Sequence, residues 1–218
     1  MAAPYAELHV HSCFSLLDAP CQPAALARRA AELGYEHLGL TDHHGLHGAV
    51  RFVRACAEAG LHPVIGAEVT LEDESHLTLL AEDDRGYATL ARLLSAAHLG
   101  WECPRRPVTR AGPGATAGTT AMRRIVHVPW AWLLEEHEGL VVLTGCRQGP
   151  LARKIEAGDR AGALRLARRL RQLFGPEHCV VELQDHGLPG DRRRCAELAL
   201  LAEAAGLPLV ATNNVHYL

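Results

Sequence analysis

Short apolar runs alternate with helical patterns along most of this chain, and that alternation constrains its fold more than any other feature. Residues 6–11 read as a strand, 23–34 as a helix stopped by Gly34, 37–42 as a strand, and 49–60 as a helix ended by Gly60. Strands over 62–71 and 76–83 follow, then a helix over 87–100 and a strand over 139–146. A helix over 163–175, a strand over 179–185, a helix over 195–206 and a strand over 207–218 complete the series. A β-then-α order of this kind implies a mostly parallel sheet, open or closed into a barrel. Residues 101–125 break the pattern, and their Gly, Pro and Thr content reads as a mobile surface loop.

The polar residues fall where such a fold places its chemistry, at the C-terminal ends of strands. The first strand ends in His9-Val10-His11, with Asp18 just beyond. Side chains at i and i+2 of a strand point the same way, roughly 6.5–7 Å apart, so the two imidazoles can converge on an ion. The second strand ends in Thr41-Asp42-His43-His44, the third carries Glu68, and the fifth ends in Thr144-Gly145-Cys146. The last carries Asn213-Asn214-Val215-His216, again with i, i+2 spacing. His76 opens its strand instead of closing it and fits the rule least well. Imidazole, carboxylate and thiolate together suit Zn²⁺ or Mn²⁺ better than Mg²⁺. A carboxylate such as Glu68 can bridge two ions, which together activate water and hold a phosphate oxygen. Metal-assisted phosphoester hydrolysis is the reaction class these residues favour.

Composition narrows the alternatives. The 218 residues, 48% hydrophobic, suffice for one sizeable core. A net charge of −3 excludes a chain-wide electrostatic platform for nucleic acid, although arginines cluster at 105–106, 123–124, 168–169 and 192–194. Seven widely spaced cysteines without a C-x-x-C pair argue for a reducing cytosol over a disulfide framework. No apolar run reaches the roughly 18 residues of a membrane span, and the N-terminus lacks the look of a secretory signal. The expectation is a soluble, cytoplasmic protein with no membrane partner. His37, His62, His98, His127, His137 and His178 have no convergent partner and read as surface or core histidines. Glu182 and His186 read equally well as pocket lining or as strand-end packing.

The segments H-x-H at 9–11, TDHHGLHG at 41–48, GAE at 66–68, HLTLLA at 76–81, LTGC at 143–146 and ATNNVHY at 211–217 resemble the PHP (polymerase and histidinol phosphatase) domain. YAELHVHSCFSLLDA, EDDRGYATLARLLSAAHLG and VELQDHG are similar to the N-terminal domain of bacterial C-family DNA polymerases (DNA polymerase III alpha subunit-like), closest to their error-prone, damage-tolerant branch. The resemblance implies a distorted, TIM-like β/α barrel over 1–218, with up to three Zn or Mn ions at the C-terminal strand ends. It implies His9, His11, Glu68 and Asn214 around one ion, Glu68, His76 and Cys146 around a second, and Asp18, His43 and His216 around a third. Asp42 and His43 are its expected catalytic residues, Asp42 by orienting a ligand from behind. Asn214 stands where the PHP pattern usually has Asp, which removes one negative charge and a possible base. Asp18 stands where stand-alone members often carry His.

The resemblance also implies that polymerase palm, thumb and fingers are missing from these residues, so the chain reads as an excised domain whose partners are those domains and, through them, DNA. Three functions follow as expectations. The first is a metal-dependent phosphoesterase that trims DNA 3′ ends as a 3′–5′ exonuclease, in replication or translesion repair. The second is a catalytically weakened structural module, and the third a stand-alone phosphatase of the histidinol phosphatase kind.

Overall fold

The computed structural model describes residues 5–100 and 126–218, so the loop expected over 101–125 lies outside the described residues. The described elements are α1 (Pro23–Glu32), β1 (His37–Leu40), α2 (Ala49–Ala59), β2 (His62–Thr70), β3 (His76–Ala81) and α3 (Asp84–Leu99). They continue with α4 (Trp130–Glu135), β4 (Leu140–Leu143), α5 (Pro150–Glu156), α6 (Arg160–Phe174), β5 (Cys179–Leu183), α7 (Asp191–Ala205) and β6 (Leu209–Ala211). The six strands lie in sequence order in one curled sheet. Pairs β1–β2, β4–β5 and β5–β6 are parallel, whereas β3 runs antiparallel to both β2 and β4.

The reversal of β3 has a local cause. Only residues 71–75 join β2 to β3, and a parallel crossover needs a dozen or more. Asp73 shapes the turn by accepting from the Ser75 backbone N–H at 3.0 Å, and Glu74 takes a left-handed φ of 62°. Reversal puts the start of β3 at the same end of the sheet as the C-terminal ends of β2 and β4. His76 thereby joins the other polar residues, with Thr70 as its register partner.

Residues 6–11, expected as a strand, form an extended stave held by two single parallel bridges, Glu7 to Leu38 and Val10 to Val215. The stave thus links β1 to the segment after β6 and curls the sheet toward a barrel. The final strand is shorter than expected, because Asn214 adopts φ 46° and bends the chain before Val215 bridges back.

The helices cover the outside of the sheet. Leu26, Ala30, Phe52 and Cys56 of α1 and α2 pack on Leu38 and Leu40, while α3 to α7 bury a larger cluster around Leu77, Leu79, Leu93, Val142 and Leu170. Three helices start earlier than their apolar periodicity suggests, at Asp84, Arg160 and Asp191. Their first turns are polar: Asp83 accepts from Gly86 N at 2.8 Å and Asp159 from Gly162 N at 2.8 Å, each satisfying an orphan donor. α4 and α5, of six and seven residues, are too short to show a period. Gly60 ends α2 with φ 74° and open space around its Cβ position. Gly60→Ala is therefore expected to cost about 1 kcal/mol through backbone strain alone, measurable as a shift in the urea midpoint.

Candidate metal centre

Inward-facing strand positions that would be apolar in a simple core are polar here. Glu7, His9, His11, Thr41, Glu68, Thr78, Thr144, Glu182, Gln184 and Thr212 are all 5% exposed or less. Such groups persist in a core only when partnered.

Glu68, 1% exposed near the end of β2, is the hub. Its Oε2 lies 2.8 Å from His9 Nε2 and 3.2 Å from His11 Nε2. Its Oε1 contacts His76 Nδ1 and accepts from Cys146 Sγ at 3.6 Å. Burial alone would push the Glu68 carboxyl up, but hydrogen bonds from His11, His76 and His9 hold it well below the usual range. Burial pushes the Cys146 thiol far up, and the charge of Glu68 adds to this. Burial would likewise lower His9, yet Glu182 at Nδ1 (2.7 Å) and Glu68 reverse the sign and raise it to about 10.

A second carboxylate organises the rim. Asp18 Oδ2 lies 3.1 Å from His43 Nε2 and 3.0 Å from His216 Nδ1. The His11 ring stacks on those of both His43 and His216, with centroids 4.5 Å apart in each case. Burial keeps both rim imidazoles below their usual pKa, and for His216 the charge of His11 adds to this. Asn214 Oδ1 sits 3.0 Å from His11 Nε2. Among the described residues, candidate donor atoms form three groups, each within 4.8 Å: His9, His11 and Glu68; His11, Asp18 and His43; Glu68, His76 and Cys146.

The structure thus brings every expected ligand to one end of the barrel, and it places His11 between the first group and the rim. Asp42, 1% exposed, does not enter the donor set. Its carboxylate accepts from Ser12 N at 2.6 Å, Ser12 Oγ at 2.8 Å and Ser15 Oγ at 2.7 Å. Ser15 Oγ in turn lies 3.2 Å from His11 Nδ1 and accepts from the His43 backbone N–H. Asp42 therefore acts on His11 through Ser15, a residue the sequence did not single out. Glu182, which the sequence left open between pocket lining and strand-end packing, meets His9 Nδ1 inside the pocket. The signal for it was its parity with Gln184 in a buried strand, which puts two polar side chains on the inner face. His37 and His62 stack on each other at the start of β1 and β2, and His127 and His178 pair with Glu74 and Glu82. His98 contacts the His44 carbonyl and His137 that of Leu133.

With this geometry in hand, comparison with known proteins gives the family. Residues 7–186 match the model of the PHP domain. The chain is 44% identical over 215 residues to an error-prone DNA polymerase of Symbiobacterium thermophilum, covering 98% of this chain and 19% of that protein. It is 34% identical to the DNA polymerase III subunit alpha of Treponema pallidum, covering 98% of this chain and 18% of that protein. The chain therefore spans about a fifth of the length of these relatives. Among solved structures, it superposes on one from Bifidobacterium adolescentis, assigned as a metal-dependent phosphoesterase, with TM-score 0.56 and 16% identity, covering 98% of this chain and 88% of that one. An amidohydrolase from Chromobacterium violaceum, crystallised with sulfate and no metal, gives TM-score 0.60 and 18% identity over 97% and 87%. Among the described residues no helix is long and apolar enough to cross a membrane. Motifs, curled sheet and family match agree: the chain belongs to the PHP domain family.

Proposed function

We propose that residues 1–218 form one PHP domain of a larger, error-prone-type DNA polymerase III alpha-like protein, and that its pocket holds up to three Zn or Mn ions and hydrolyses phosphodiesters at DNA 3′ ends. The observation that carries this reading is Glu68: its two oxygens face two different donor sets, His9 with His11 and His76 with Cys146. A carboxylate so placed fits two cations at once, and the mix of imidazole, thiol and carboxylate suits Zn²⁺ or Mn²⁺. The imidazoles are also oriented for ligation, because Glu182 holds His9 Nδ1 and Ser15 holds His11 Nδ1, leaving each Nε2 directed inward.

Divalent cations held there supply water activation at neutral pH and charge stabilisation for a phosphoryl group. The chain's own residues divide the remaining work by depth. His9, His11 and Glu68 are buried and fix the floor. Asp18, His43, His76 and His216 are partly exposed and meet an incoming phosphate at the rim. His43, whose pKa burial lowers, can take up or return a proton there. Asp42 is a positioning residue, acting through Ser12 and Ser15. DNA reaches the pocket through the remaining polymerase domains, in a cytoplasmic setting.

Incubation of the chain with bis(p-nitrophenyl) phosphate and with a 3′-labelled oligonucleotide, in Mn²⁺ or Zn²⁺, tests the reading. Hydrolysis that chelator abolishes is the expected result, and a folded, metal-loaded chain inert in both assays overturns it. That inert outcome would favour the second reading, a structural module, which Asn214 motivates because its amide places no charge beside His11 Nε2.

A further inference from the structure

Glu7 stands two residues before His9, outside every donor set above, yet it is 2% exposed. Its Oε2 accepts from Tyr5 Oη at 2.6 Å, from the Asn213 backbone N–H at 2.9 Å and from Asn213 Nδ2 at 3.0 Å. Its Oε1 accepts from the His9 backbone N–H at 3.1 Å. Asn213 Nδ2 also donates to Tyr5 Oη at 2.8 Å, and Tyr5 packs edge-on against Tyr35. All four partners of the carboxylate are donors, so this buried group works as an acceptor only.

This carboxylate ties the stave of His9 and His11 to the backbone at residue 213. One residue later the chain turns through the left-handed conformation of Asn214, and Val215 then exchanges hydrogen bonds with His9 O and His11 N, each of 2.8 Å. The turn aims Asn214 Oδ1 at His11 and His216 Nδ1 at Asp18. We infer that Glu7 is a positioning residue for the pocket: by clamping Asn213 it sets where Asn214 and His216 stand against His11 and Asp18. Glu68, His76 and Cys146, carried by β2, β3 and the segment after β4, do not depend on it. The consequence for metal binding rests on the reading proposed above, whereas the placement of His11 and His216 does not.

Glu7→Gln is the sharp test. The amide keeps size and shape, but in either orientation it sets an N–H against a donor, His9 N on one side or the Asn213 and Tyr5 donors on the other. Two readouts separate the claims. In the metal-free chain, the imidazole NMR resonances of His11 and His216 should move in the variant while that of His76 stays. In Co²⁺ titrations, the near-ultraviolet thiolate-to-cobalt absorption reports the Cys146 group separately. It should persist, while the affinity of the ions held near Asn214 and His216 falls about 10-fold. A folded variant with unmoved His11 and His216 resonances and unchanged cobalt affinities overturns the inference. If the wild-type chain takes up no metal, the metal reading falls, and the imidazole resonances still decide the role of Glu7. Should Glu7→Gln not fold, Tyr5→Phe, which removes one donor to the carboxylate, is expected to shift the same resonances by a smaller amount. No shift in that variant would equally overturn the inference.

Discussion

Glu68→Gln is expected to empty the pocket of metal at both of its inner groups and to lower phosphodiester hydrolysis by at least about 100-fold. Removing even an outer partner of a metal ligand costs about 10–100-fold, and Glu68 contacts His9, His11, His76 and Cys146 through its own two oxygens. An amide keeps one acceptor oxygen and points an N–H at the other donor set. Elemental analysis after dialysis should then show less than one tightly held ion per chain, with any residual binding at Asp18, His43 and His216. The metal-free variant should also lose about 1–3 kcal/mol, because buried imidazole groups lose their acceptor. Full metal content together with full hydrolysis would remove Glu68 from the hub.

The second large effect is that of chelation on stability. Ions that bind only the folded chain stabilise it by about 2.7 kcal/mol each at 100-fold excess over Kd. Stripping two should lower the melting temperature by about 10–20 °C, given about 2–4 °C per kcal/mol for a chain of this size. The stripped chain should then show its own pH profile. His9, raised to about 10, favours its charged form in the fold, so its contribution is complete below pH 6.5 and is lost as pH rises from 6.5 toward 10. His44, half-buried and pushed down to about 4 by desolvation, acts oppositely: its contribution is complete above pH 6.5 and fades as pH falls toward 4. The metal-free melting temperature is thus expected to peak near pH 6.5, whereas the loaded chain should gain stability up to higher pH, because ligation requires proton release. Calorimetry with and without chelator, from pH 5 to 9, checks both. Identical curves would mean that the ions add nothing to the fold.

Much of this was legible in the chain itself, for identifiable reasons. Strand positions and the identity of each strand-end histidine follow from apolar runs and polar termini, both local signals. His76 looked misplaced because strand direction is set by the length of the connection after Thr70, not by any property of His76. Ser15 was passed over and Glu182 left open between two readings because their roles exist only across space: Ser15 meets Asp42, which is 27 positions away, and Glu182 meets His9 across 173. The first turns of α3, α6 and α7 carry no apolar period; the side chains of Asp83 and Asp159 cap α3 and α6, whereas α7 starts after the left-handed Gly190 without a side-chain cap. Residues 207–218 read as one strand because nothing in the apolar pattern marks Asn214; its left-handed backbone marks it, and a side chain that reaches His11 holds it there.

The stave of residues 7–11 meets the segment around Val215 through few backbone hydrogen bonds, yet the donor groups straddle that junction, with Asp18 and His11 on one side and Asn214 and His216 on the other. During synthesis the earliest ligands must therefore wait for the last ones to leave the ribosome, and closing a loop of that length is entropically slow. Cations in the finished pocket would act as a clasp over the latest-formed joint. Forced or thermal opening of the loaded domain should accordingly begin elsewhere, whereas the stripped domain should unzip there first.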